Sequence, residues 1–220
     1  MDYADTTVVI PAKDEPALPR VVKSVKDALP GCRVIAVYLG RRPALGGVRG
    51  VALVKQKSSG YGAALKEGFA AASTMIVGMV DADGSYDPQD LRKVVALVRK
   101  GYDMAIGNRL TRENSRSMQG YIWLGNTLAT LTYELVHMRR IGDSQSGLRA
   151  MRKNMLDSLT LKENGWLLPP ELNAKATNHG FRITYTPIRY NPRVGASKLE
   201  NKFMYGFRLF MMTIAFRFSG

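Results

Sequence analysis

Short apolar, β-branched runs alternate in the first half of the chain with stretches whose apolar residues recur every three or four positions. Thr7-Val8-Val9-Ile10 reads as a first strand, closed by Pro11. Residues 16–29 read as a helix with Val21, Val22, Val25 and Leu29 on one face, ended by Pro30-Gly31. Residues 34–38, 51–54 and 75–80 read as the second, third and fourth strands, with an Ala-rich helix over residues 63–72 between the last two. Asp87-Pro88-Gln89-Asp90 opens another helix, proline in its first turn and acids at the positive end of its dipole. Its core face is Leu91, Val94, Val95 and Val98, and Met104-Ala105-Ile106 forms a short strand beyond it. This β-α-β-α rhythm predicts an α/β fold, a mostly parallel sheet flanked by helices.

The second half is less regular. A helical pattern over residues 120–138 carries Ile122, Leu128, Leu131 and Leu135. The polar segment 139–149 contains Gly142-Asp143-Ser144-Gln145-Ser146-Gly147, and a helix after Trp166 precedes the strand-like Ile183-Thr184-Tyr185. In the tail, Phe203, Phe207, Phe210, Ile214 and Phe218 recur at helical spacing among Lys198, Lys202, Arg208 and Arg217. A basic amphipathic helix of this kind suits a membrane interface; packing on the domain or an oligomer contact is the alternative. With no repeat, low-complexity tract or linker, the reading is one domain over residues 1–195 and a basic amphipathic C-terminal extension over 196–220.

Composition changes this picture in one respect. The 220 residues suffice for one sizeable core, and 45% hydrophobic with 23% charged residues is ordinary. The 32 Lys+Arg against 18 Asp+Glu, a formal +14, are not, and imply an acidic partner: phosphorylated substrates, an anionic membrane face or nucleic acid. Nucleic acid is disfavoured, because no helix-turn-helix, RNP-type or zinc pattern accompanies the charge. The lone Cys32 excludes an internal disulfide, and His137 and His179 are too far apart in sequence to suggest zinc. Met1-Asp2-Tyr3-Ala4-Asp5 lacks the features of a secretory leader, and no apolar run approaches the roughly 20 residues of a membrane span.

The chemistry concentrates where strands end. Val77-Gly78-Met79-Val80 stops at Asp81-Ala82-Asp83-Gly84-Ser85, two acids one residue apart on extended chain. Such carboxylates point the same way and repel unless a cation sits between them, and a hard divalent ion carrying a polyphosphate is the natural occupant. Pro11-Ala12-Lys13-Asp14-Glu15 follows the first strand and Gly107-Asn108-Arg109 the strand at 104–106. A parallel sheet brings all three to one edge, the place where open α/β sheets bind ligands.

In order and spacing these segments resemble the family-2 glycosyltransferases of GT-A fold, and within them the dolichyl- or polyprenyl-phosphate mannose and glucose synthases. Residues 8–15 resemble the family's V-I-P-x-x-N-E, residues 60–68 its G-x-G-x-A-x-x-x-G, and Asp81-Ala82-Asp83 its D-x-D. Gly107-Asn108-Arg109 resembles its G-S-R, residues 143–149 its D-x-x-S-G-F-R, and residues 193–199 its R-x-G-x-S-K-L. The resemblance implies an inverting, metal-dependent hexosyltransferase at the cytoplasmic face of a membrane. It would move mannose or glucose from a GDP- or UDP-hexose to polyprenyl or dolichyl phosphate, with Mg²⁺ or Mn²⁺ as cofactor. By the same resemblance Pro11, Ala12, Glu15, Gly60, Asp81 and Ala82 bind the nucleotide sugar, and Asp81, Asp83 and Ser85 hold the metal. Arg109, Arg193 and Lys198 bind the acceptor phosphate; Asp83, Asp143 and Arg109 are catalytic, and Glu171 lies near the reaction centre. A glycan or glycerolipid acceptor on the same fold, and a basic non-catalytic membrane- or nucleic-acid-binding protein or accessory subunit, are the alternatives; a membrane-protein partner or a second copy of the chain completes the expected partners.

Three positions depart from the family pattern. The second strand ends in Gly40-Arg41-Arg42, where the family has paired acids that read the nucleobase or ribose. Ser85 stands where a glutamine often follows the D-x-D, and Trp123 where some members place a second phosphate-binding arginine. Many members continue into transmembrane helices after this point; none is legible here.

Overall fold

A computed structural model describes residues 1–194 and 202–218. Lys198, and the side chains of Lys202 and Phe203, lie outside the described part. The strands are β1 (Thr6–Lys13), β2 (Arg33–Leu39), β3 (Val51–Lys55), β4 (Ile76–Met79), β5 (Met104–Asn108), β6 (Arg149–Arg152) and β7 (Ile183–Pro187). The helices are α1 (Leu18–Ala28), α2 (Tyr61–Ala71), α3 (Leu91–Arg99), α4 (Gly120–His137), α5 (Lys153–Ser158), α6 (Leu168–Asn178) and α7 (Lys202–Phe218).

The strands form one sheet in the order β3-β2-β1-β4-β6-β5-β7. β1, β2, β3 and β4 are parallel, β6 runs antiparallel to both β4 and β5, and β7 is parallel to β5. Alternation along β1 divides the core between the two faces of the sheet. Val8 and Ile10 join Val21, Val22, Val25, Leu91, Val94 and Val95 from α1 and α3, whereas Val9 joins Leu65, Phe69, Leu168 and Leu172 from α2 and α6.

Pro11 does not close β1, which runs on to Lys13 with Pro11 opposite Val37 of β2. The Val9 carbonyl accepts from Val80, so the odd residues of β1 turn their backbone polar groups toward β4. That strand ends at Met79, and the N–H that proline lacks falls beyond the ladder, where its absence costs nothing. The expected helix at Asp87 begins as a 3₁₀ turn over Pro88–Asp90, with the Asp87 carboxylate accepting from Gln89 N, before α3 proper.

The apolar stripe of α4 does not face the core. Leu124, Leu128, Leu131 and Leu135 are exposed, as are Phe207, Phe210, Met211 and Ile214 on α7. The opposite stripe of α7, with Leu209, Thr213 and Phe216, is buried; His137 of α4 meets the Thr213 carbonyl at 3.2 Å, and Asn178 of α6 donates to the Phe216 carbonyl at 2.9 Å. No helix among the described residues is long and apolar enough to cross a membrane.

Glycine distinguishes two kinds of helix packing here. A Cβ on Gly68 of α2 would lie 2.2 Å from Val9 Cγ1 in the core, whereas one on Gly125 of α4 would meet nothing within 4 Å. We predict that Gly68→Ala lowers stability by about 1–3 kcal/mol through overpacking. Gly125→Ala should raise it by about 0.5–1 kcal/mol through helix propensity. Urea denaturation midpoints of the two variants, moving in opposite directions, check both.

Candidate functional site

At the carboxyl edge of the sheet a cleft of about 980 Å³ runs from the ends of β1 and β2 past Asp81 and Asp83 to the space between α4 and α7. Pro11, Ala12, Glu15, Gly60, Asp81, Ala82, Asp83, Arg109 and Arg193 all line it, although they come from five separate segments of the chain.

Its centre is the acidic turn after β4. Asp83 is buried, its Oδ1 accepting from Ser85 N at 3.0 Å and from Ser85 Oγ at 2.6 Å, while Oδ2 meets Arg193 Nη2 at 3.0 Å. Asp81 Oδ1 accepts from the Tyr61 hydroxyl at 2.7 Å. Burial, and then the neighbouring Asp83 carboxylate, push the Asp81 pKa up to about 6. A Cβ on Gly147 would come within 2.3 Å of Asp81 Oδ2, so the Ser146-Gly147 pair is where the β6 segment passes directly against the acid. Ser85 is fully buried and its hydroxyl is spent on Asp83, so it orients that carboxylate instead of facing the cleft.

The basic part of the cleft is built around Arg109. Its Nε and Nη2 donate to the two oxygens of Asp143 at 2.6 and 3.0 Å, and its guanidinium lies over the rings of Tyr190 (5.3 Å) and Tyr86 (5.8 Å). Burial alone would lower the Arg109 pKa; the Asp143 carboxylate and the tyrosines outweigh it, and the guanidinium stays charged. Nη1 makes no bond to a described residue, and Arg109 lines the cleft.

Asp143 is placed differently from its expected catalytic role. It is fully buried and accepts from Arg109 N, Nε and Nη2 and from Gln145 N, and it does not line the cleft. Its lone pairs are occupied, so it acts through Arg109. Glu171 does not line the cleft either. It is buried, pairs with Lys175 at 3.0 Å and accepts from the backbone N–H of Lys162 and Glu163, which pins the loop before α6. Gly60 faces the same loop: its φ is +120° and a Cβ there would lie 2.1 Å from the Asn164 carbonyl.

That pinned loop carries a residue the sequence pattern did not single out. Trp166 stacks on Tyr61 with ring centroids 4.5 Å apart, and both line the cleft beside Asp81. Tyr61 lies between two glycines, Gly60 and Gly62, and Trp166 in a loop with no periodicity. Gln56, just after β3, and Tyr205 of α7 also line the cleft.

Among the described residues no three His, Cys, Asp or Glu side chains cluster as a metal site. The chemistry of the Asp81/Asp83 pair nevertheless fits a hard divalent cation. Two adjacent carboxylates, one destabilised as an anion by the other, suit an ion that takes its remaining ligands from phosphate and water.

The model of Glycosyl transferase family 2 matches residues 43–160. A dolichyl-phosphate hexose transferase of Haloferax volcanii is 28% identical over 73% of this chain and 69% of its own length. A polyprenol monophosphomannose synthase of Mycolicibacterium smegmatis is 29% identical over 89% of this chain and 81% of its own. Glucosyl-3-phosphoglycerate synthase of Mycobacterium tuberculosis, solved with Mn²⁺, UDP and glucosyl-3-phosphoglycerate, superposes with a TM-score of 0.73 at 19% identity, covering 96% of this chain and 79% of that one. The fold is thus that of the GT-A glycosyltransferases.

The raised pKa of Asp81 has a sign that can be measured. Its contribution favours the folded state below pH about 4 and is lost as pH rises through about 6. In metal-free protein Asp81→Asn should therefore unfold at a higher temperature than the wild type at pH 8, with the advantage gone at pH 4. Thermal melts at the two pH values check this; an Asn variant less stable at pH 8 would contradict it.

Proposed function

We propose, for a chain that belongs to glycosyl transferase family 2, that it transfers a hexose from a nucleoside diphosphate sugar to a polyprenyl or dolichyl phosphate at the cytoplasmic surface of a membrane. The observation that carries the reading is the order of chemistry along one cleft. Paired carboxylates stand at its centre, Arg109 and Arg193 beside them, and the cleft then opens between α4 and α7, whose outer faces are apolar. The named relatives that act on dolichyl and polyprenyl phosphates support the same acceptor.

Asp81 and Asp83 would hold Mg²⁺ or Mn²⁺ against the diphosphate. When bound, the ion supplies Lewis-acid stabilisation of the leaving group. The chain does the rest. Tyr61 and Ser85 fix the orientation of the two carboxylates, and Trp166 offers an exposed ring at the sugar end. Arg109, held rigid by Asp143, presents Nη1 to a phosphate oxygen. Arg193 pairs with Asp83 and carries a buried Nε with no partner among the described residues, so its guanidinium would be available to a phosphate wherever Asp83 serves as a cation ligand. Lys198 joins it in this proposal from sequence alone.

A phosphate nucleophile is already an anion and needs no general base. This agrees with Asp143 having no free lone pair and lying out of the cleft. Attack on the anomeric carbon from the side opposite the diphosphate inverts its configuration. The exposed Leu128, Leu131, Leu135, Phe207 and Phe210, with Arg139, Arg140, Arg208 and Arg217 also exposed on or next to α4 and α7, form the face that would rest on an anionic bilayer.

Transfer of labelled hexose from UDP- and GDP-sugars to anionic vesicles carrying polyprenyl phosphate or polyprenol tests the reading. Lipid phosphate should be glycosylated, polyprenol should not, and Asp83→Ala should reduce transfer at least about 100-fold, the scale of losing a key electrostatic group. Equal transfer to the alcohol, or full activity in chelator, would contradict it.

A further inference from the structure

The donor end lacks the acid that the family pattern places after the second strand: β2 is followed by Gly40-Arg41-Arg42 and β3 by Gln56-Lys57. Gln56 is buried, its backbone N–H donates to the Tyr38 carbonyl at 2.8 Å, and its side chain lines the cleft beside Leu39 and Ser59. Its amide nitrogen donates to two carbonyls of the following loop, those of Ser58 and Gly60, the latter at 2.7 Å. This spends both amide hydrogens and fixes the orientation of the group, because a flipped amide would set oxygen against two carbonyl oxygens. The amide oxygen accepts from no described residue. The side-chain atoms that are both buried and unpartnered among those residues are Trp123 Nε1, His137 Nδ1 and Arg193 Nε, so the Gln56 oxygen is open to the cleft.

Resting on the donor-site reading above, we infer that Gln56 reads the nucleobase of the donor, its amide oxygen accepting the N3–H of uracil, and that the donor is a uridine diphosphate sugar. Gln56 stands three strand positions from β4, roughly 14 Å at about 4.8 Å per strand, a span suited to an extended nucleoside diphosphate whose phosphates reach Asp81 and Asp83. The discrimination follows from counting donors. Uracil presents one N–H, at N3, and a single neutral acceptor satisfies it. Guanine presents N1–H and N2–H₂ side by side, so one acceptor leaves a donor without a partner. Cytosine presents a lone pair at N3, which the Gln56 oxygen opposes. The amide hydrogens cannot help with either base, since the Ser58 and Gly60 carbonyls hold them.

Calorimetric titration of the full chain, in Mg²⁺, with UDP, 3-methyl-UDP, GDP and CDP tests this on unmodified protein. UDP should bind at least about tenfold more tightly than each of the others, the loss expected when a buried hydrogen bond goes unmade. In Gln56→Leu the gap between UDP and 3-methyl-UDP should close to within about twofold, as a cycle requires when both changes remove the same contact. A wild type that binds 3-methyl-UDP or GDP as well as UDP overturns the inference, as does a gap that persists in Gln56→Leu. Binding of nucleotides without base preference overturns the role of Gln56 alone, whereas no binding of any nucleotide overturns the donor-site reading with it.

Discussion

Two carboxylates placed one residue apart at the closed end of a buried strand are an electrostatic liability, and most of the cleft is organised around it. Asp81 and Asp83 follow β4, the strand at the middle of the sheet, whose residues are buried against helices on both faces. Each has acquired its own support: Tyr61 for Asp81, Ser85 and Arg193 for Asp83. Even so, Asp81 is harder to ionise than an ordinary aspartate. A folded protein retains such a site at some cost in stability when the second charge is needed for a ligand.

The second organising element is a clasp between segments far apart in the chain. Arg109 follows β5 and Asp143 precedes β6, and their bidentate contact joins the ends of two antiparallel neighbours. An isolated arginine in this position would be mobile and would lose its entropy on binding phosphate. Locked on Asp143 and set over Tyr86 and Tyr190, it is ordered beforehand. Glu171 does similar work one layer out, holding the loop that brings Trp166 onto Tyr61. Neither acid touches the cleft, and both owe their value to what they position.

The parallel core was legible because its strands are β-branched and its helices present apolar faces at regular spacing. The carboxyl-edge residues were legible for a related reason: the topology brings loops after successive parallel strands together. Three things were not. Proline in β1 looks like a stop unless the register with β4 is known. The partner of Asp143 is not Arg149 of its own loop but Arg109, 34 residues away; Arg149 is fully buried against Asn173 and backbone carbonyls, and burial draws its pKa down to about 10. The period of α4 announces an apolar face without saying what that face meets, and here it leaves Leu124, Leu128, Leu131 and Leu135 exposed.

The account stands on Asp81 and Asp83 forming a cation site that a nucleoside diphosphate completes. Two protein carboxylates leave most of the coordination of Mg²⁺ or Mn²⁺ to phosphate and water, so the two ligands must bind cooperatively and reciprocally. The direct measurement is a Mn²⁺ binding isotherm taken with and without saturating nucleoside diphosphate, on the wild type and on Asp81→Ala. The account predicts that nucleotide tightens Mn²⁺ binding by about tenfold or more, over and above complexation in solution, and that the effect disappears in the variant. Mn²⁺ affinity unchanged by nucleotide, or unchanged by loss of Asp81, would contradict it.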